Sequence, residues 1–380
     1  MFRKCCAIIT VFLLLLTGCN GASDILDTSS STTRSTPAAP TQRSASITEI
    51  NTSIISGDIR NIYYGNNNQV LILANKLYLY DLYTGEVLAE TDIAAFDEID
   101  CHMLDNRIAV VGVIMGSSSD IICTFYDGGL NQSEEISIAG LLDTEELLWS
   151  TKQVAISPDG EHVALTTSSG LFLHKTKTKQ GTLLIDLLSE DEAHRFGLCE
   201  FQEISFVQDG TTIAFKSMSF DVPLVVGQNG FDTYGTINID GSGLSVHRST
   251  EYSVKEMIAY DSLVIFPEDF TVSSGRVMVY DLATNTTRVF TTETEKESGN
   301  VFGSDTGQSF ATSNLIQGSV TVRIYDTGDG SLLLEETISE SNDYTAREPQ
   351  ILIWDELKIC IVLLGNRQTN LATKYLIFNF

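Results

Sequence analysis

A short phrase returns along this chain, and its return limits the possible folds more than any other feature. An apolar strand ends in Tyr-Asp, and a Gly- or Asn-containing turn follows. The phrase reads Leu77-Tyr78-Leu79-Tyr80-Asp81-Leu82-Tyr83-Thr84-Gly85, then Val277-Met278-Val279-Tyr280-Asp281-Leu282-Ala283-Thr284-Asn285, then Val322-Arg323-Ile324-Tyr325-Asp326-Thr327-Gly328. Weaker echoes stand at Phe125-Tyr126-Asp127-Gly128 and Ile239-Asp240-Gly241. A second phrase precedes it by about 20 to 30 residues, with an apolar residue leading into Ser157-Pro158-Asp159-Gly160 and a compact strand after it. It recurs as Val207-Gln208-Asp209-Gly210 and, more loosely, as Gly303-Ser304-Asp305-Thr306-Gly307-Gln308. Both phrases are turn chemistry: Asp accepts hydrogen bonds from the turn, and Gly supplies positive φ. Between them lie short apolar runs without helical periodicity, so the chain reads as strands throughout.

A period of about 45–50 residues with four strands per unit is the signature of a β-propeller blade. Innermost strands are expected near 59–64, 99–103, 153–157, 203–207, 254–260, 299–304 and 349–354, one for each of seven blades. Eight remain open if the 219–235 insertion hides strands. The last blade has strands near 349–354, 357–364 and 373–379 and then lacks a fourth. The alternating segment Ser46-Ile47-Thr48-Glu49-Ile50 can supply it and close the ring, which leaves only short exposed edges. Val70 to Ala74, Ile108 to Val113 and Ile359 to Leu364 are apolar at nearly every position, as strands packed on both faces would be.

The Ser-Pro-Asp-Gly and Tyr-Asp-x-x-x-Gly turns are similar to those of the WD40-like bacterial propellers. The resemblance covers nearly all of residues 45–380. It implies the architecture, while many unrelated activities use that architecture. The Gly-His and Trp-Asp pairs of strict WD40 repeats are absent.

The N-terminus carries a second resemblance. Arg3-Lys4, the apolar run Ala7 to Leu16 and then Leu16-Thr17-Gly18-Cys19 resemble a bacterial lipoprotein signal peptide. The run is half the length of a membrane-crossing helix, which needs about 20 residues. The resemblance implies cleavage after residue 18, lipidation at Cys19, and a mature protein tethered to the membrane on its extracytoplasmic side. An outer membrane is a possible address where the organism has one. Residues 19–44 are rich in Ser, Thr, Ala and Pro and read as a flexible tether, with a reach of about 25–30 Å. The propeller domain then spans 45–380.

A net charge of −27 and a pI of about 4.4 repel phosphate backbones, so nucleic acid is not an expected partner. Of seven cysteines, Cys5 and Cys6 leave with the signal. Cys101, Cys123 and Cys360 lie in apolar runs and read as small buried hydrophobes.

In a four-strand meander the first–second and third–fourth turns share one end. The tight turns fall there. The long connections fall at the other end, where binding is expected. That face is expected to carry Trp149, Phe196, Phe201, Phe220, Phe231 and Phe270. The candidate binding residues are Trp149, Phe196, Phe220, Phe231 and Phe270.

Catalytic chemistry finds no motif. His102, His162, His174, His194 and His247 show no ligand spacing for a metal. There is no Gly-x-Ser-x-Gly elbow and no phosphate loop, and no cofactor is called for. Asp326-Thr327-Gly328-Asp329-Gly330 reads as a turn because it lacks the Asp spacing and terminal Glu of an EF-hand. The expectation is a non-enzymatic, membrane-tethered propeller that binds a protein partner through its long-loop face. The alternatives are a glycan or small ligand in the central channel, and a propeller glycosidase or lyase.

Overall fold

A computed structural model describes residues 48–380. It leaves out 67, 95, 97, 105–106, 115–119, 139–152, 179, 189–197, 208–209, 220–232, 249–252, 255–257, 261, 270–272, 292–300, 317–318, 340–348 and 367–370. The protein is a seven-bladed β-propeller of antiparallel four-stranded sheets. The first blade runs Asn61–Tyr64, Gln69–Leu73, Leu77–Asp81 and Glu86–Thr91, each strand paired to the next. The other blades open on Glu98–Leu104, Gln153–Ile156, Leu198–Val207, a split strand (Ser253–Val254 and Ile258–Tyr260), Val301–Gly303 and Gln350–Trp354. Both pieces of the split strand pair the same neighbour, Leu263–Asp269, so blade 5 keeps the four-strand plan. Thr233–Asn238 is the third strand of blade 4, which settles the count at seven.

The ring closes as the alternation at 46–50 suggests. Thr48–Glu49 pairs the last strand, Leu371–Asn379, with Thr48 opposite Ile377 and Glu49 opposite Leu376. The Ile50 amide then donates to the Tyr375 carbonyl at 3.1 Å. Ile50, Ile55 and Ile59 continue under the joint, packed with Trp354, Ile361, Leu363 and Tyr375 of blade 7 and with Ile62, Val70 and Ile72 of blade 1.

The recurring phrases are the turns themselves. Asp81 Oδ1 accepts the amides of Tyr83 and Thr84, both at 2.8 Å, and Gly85 follows at φ 70°. Asp127, Asp240, Asp281 and Asp326 repeat this with Gly129, Ser242, Ala283 and Gly328. In the Ser-Pro-Asp-Gly turn, Ser157 Oγ donates to Asp159 Oδ1 at 2.6 Å and accepts the His162 amide at 2.9 Å. Gly160 completes it at φ 68°.

Seven apolar clusters are seen among the described residues, and each lies between two neighbouring blades. Val70 to Ala74 and Ile108 to Val111 are buried because a second strand has a neighbouring blade on both faces. Cys101, Cys123 and Cys360 are free thiols buried in these clusters. Burial pushes their acidities down, with Cys123 raised to about 12, so they are poor nucleophiles at neutral pH.

Candidate functional site

Strand bounds define the two ends of the ring. The turns within 65–68, 82–85, 157–161, 239–244, 304–308, 327–331 and 355–358 belong to one end. The connections containing 139–152, 189–197, 220–232, 292–300 and 340–348 join strand ends on the other. Trp149, Phe196, Phe220, Phe231 and Phe270, and Cys19, lie outside the described residues. Phe201 corrects the expectation for that face. It stands within Leu198–Val207, is 1% exposed, and packs edge-on against Phe215 with centroids 5.1 Å apart. The innermost strand of blade 4 starts earlier than its sequence suggests and draws this ring into the core shared with blade 3.

That strand carries a feature with no simple sequence signal. Its pairing with Thr212–Ser219 shifts register twice, between Leu198 and Glu200 and between Phe201 and Glu203. Such bulges re-aim side chains and gather next to functional sites. Here they keep Glu200, Gln202 and Glu203 all partly exposed. Lys216, almost fully buried on the paired strand, lies 3.4 Å from Glu203 Oε1.

The other innermost strands repeat a gradient along the axis. Their long-loop ends carry polar side chains that water reaches: Asn61 and Tyr63, Asp100 and His102, Gln153, and Gln350. Asp100 and His102 retain 48% and 33% side-chain exposure. The tight-turn ends are apolar and dry, with Leu104 and Ile156 at 5% and Val207 and Trp354 at 2%. On the side of blades 1, 7 and 6 the dry end is also bolted shut. The Tyr64 hydroxyl, from blade 1, donates to the Gly303 carbonyl of blade 6 and accepts the Ile353 amide of blade 7, both at 3.1 Å. Trp354 meets the Tyr64 ring edge-on at 4.7 Å. Below it, buried Asp355 of blade 7 accepts the hydroxyls of Ser304, Thr306 and Ser309 and the Gln308 amide of blade 6. Its own amide donates to Asp305 Oδ1 at 3.0 Å. Burial and the neighbouring Asp355 hold the Asp305 carboxyl above its ordinary range.

At the wet end, His102 Nε2 lies 2.9 Å from Asp100 Oδ2. Burial alone favours neutral forms of both. The mutual attraction prevails, so the imidazole is held above its usual pKa and the carboxyl below. The Tyr63 hydroxyl donates to the Ile99 carbonyl of blade 2 at 3.2 Å, and burial raises its pKa, with Cys101 and Asp100 adding to the effect. Among the described residues, no three His, Cys, Asp or Glu side chains come together as a metal site. No described helix is long and apolar enough to cross a membrane.

A ring of meander blades with a polar axis places the chain in the β-propeller class. No known protein family's sequence profile matches it, and no curated protein matches it in sequence. Among solved structures it is similar to the β-propeller domain of Cps50 (Swd1) from Myceliophteria thermophila. The TM-score is 0.57 at 12% identity, over 87% of this chain and 99% of that one. At that identity the likeness is one of fold.

Proposed function

We propose that the protein is an extracytoplasmic lipoprotein, anchored through Cys19, whose propeller is a scaffold that docks a protein partner on its long-loop face. The observation that carries the reading is the asymmetry of the ring. Tight turns, tied down by their own Asp side chains, occupy one end, and the long connections with most of the candidate aromatics leave from the other. A rigid scaffold with variable loops on one face is a common arrangement for recognition. The Leu16-Thr17-Gly18-Cys19 motif and the Ser/Thr-rich stretch behind it support the anchor. Two or more acyl chains hold a protein stably at a membrane, and a tether confines its search for partners. The absence of a nucleophile, phosphate-loop or metal-ligand pattern from the sequence supports binding rather than turnover.

Two measurements test this. Metabolic labelling with an alkyne fatty acid should mark the wild-type protein, while Cys19→Ala should be unlabelled and released from membranes. The released propeller should capture a saturable partner from solubilised membranes of the source organism, and a protein shortened within 220–232 should lose it. Capture that survives the shortening would place docking elsewhere, and an unlabelled wild-type protein would remove the anchor.

A further inference from the structure

The axis of the ring is a cup, and its lining selects a ligand class. The strands that bear Asn61, Tyr63, Asp100, Gln153, Gln202 and Gln350 have other blades on both sides, so water reaches these side chains from the axis or its long-loop mouth. Toward the tight-turn end the same strands become apolar and buried, and Tyr64 ties blades 1, 6 and 7 together. The cup is therefore entered from the long-loop end.

Four of those groups are carboxamides, contributed by blades 1, 3, 4 and 7. A carboxamide offers a donor pair and an acceptor on one rigid plane, which matches adjacent hydroxyls. An apolar ligand would leave these groups unpaired, at a cost. An anionic ligand would meet Asp100, Glu200 and Glu203 in a protein of net charge −27. A cationic ligand is less favoured, because two of the three carboxylates already face cations: Asp100 faces His102, and Glu203 faces Lys216. We propose that this axial cup binds a neutral, hydroxyl-rich ligand of the saccharide class. The proposal stands apart from protein docking on the loops and does not depend on it.

Calorimetric titration of the mature protein with maltotriose, cellotriose and chitotriose tests it, with trigalacturonate and arginine amide as charged controls. At least one neutral trisaccharide should bind, with trigalacturonate at least tenfold weaker. Gln153→Ala and Gln350→Ala should each weaken binding about tenfold with the thermal midpoint unchanged. Tyr83→Ala, at the opposite end of the ring, should leave binding as it was. The proposal is overturned if no neutral trisaccharide binds at millimolar concentration. It is equally overturned if arginine amide or trigalacturonate binds more tightly, or if both glutamine variants bind like the parent. Loss of protein capture without loss of saccharide binding, or the reverse, separates the two functions.

Discussion

The most exposed tension at the level of single residues is His174. Its side chain is 2% exposed, and among the described residues neither ring nitrogen has a hydrogen-bond partner. Gly181 across the ladder makes the room, since a Cβ there would stand 2.5 Å from the imidazole Cε1. Burial lowers the pKa of His174, and burial lowers that of His247 as well. Above about pH 6.5 both are neutral in the folded and unfolded chain and contribute no pH dependence. As pH falls below that value, the unfolded chain takes up protons that the fold refuses, so stability is lost on acidification. His102 acts in the opposite sense. Its raised pKa gives stability that is full below about pH 6.5 and lost as pH rises through the folded value. His174→Leu should therefore raise stability by about 1–3 kcal/mol at pH 7 by removing unsatisfied buried polar atoms. It should also reduce the drop between pH 7 and pH 5, as urea unfolding at the two values would reveal. An unchanged pH dependence would mean that other groups control acid stability.

Among the elements, the closing strand has the least pairing and the largest consequence. Thr48–Glu49 contributes a two-residue ladder, yet Ile50 behind it is buried in the core of the blade 7 and blade 1 joint. Ile50→Ala should cost about 2–4 kcal/mol, in the range of large-to-small core changes. The loss should appear as a lower urea midpoint and as faster hydrogen exchange in Leu371–Asn379 than in the second strand of blade 3. Uniform exchange would show that the joint is not the weak one. This element was legible in sequence because Ser46–Ile50 alternates and the last blade is one strand short. The turns were legible too, since Asp and Gly recur where the backbone needs a local acceptor and a positive φ. The double bulge of Leu198–Val207 was not, because pairing register depends on the partner strand. Nor were Tyr64 and Asp355. Their hydrogen bonds join residues that are neighbours only after the ring has closed, and no local pattern marks them. The candidate aromatics had a weaker basis still: Phe201 shows that an aromatic beside acids can belong to the core as readily as to a loop.

For the molecule as a whole, the placement of the cores governs behaviour. Each apolar cluster is shared by two blades, so a blade removed from the ring loses both of its interfaces. Equilibrium unfolding should then be a single transition. Tryptophan fluorescence and far-ultraviolet circular dichroism should coincide in urea, despite the repeat architecture. Two resolved transitions would indicate that a subset of blades folds alone.

Ring closure at the N-terminus also sets where a pull would be felt. In the proposed anchored state, any drag on the propeller travels along the tether and enters the ring at Thr48, against Ile377. The load meets a two-residue ladder before it reaches Ile50, Ile55 and Ile59, and it meets those before any complete blade. The clasp that makes the ring continuous is thus also its mechanical fuse: under tension the propeller would unfasten at the membrane-proximal seam while the other blade interfaces bear no force.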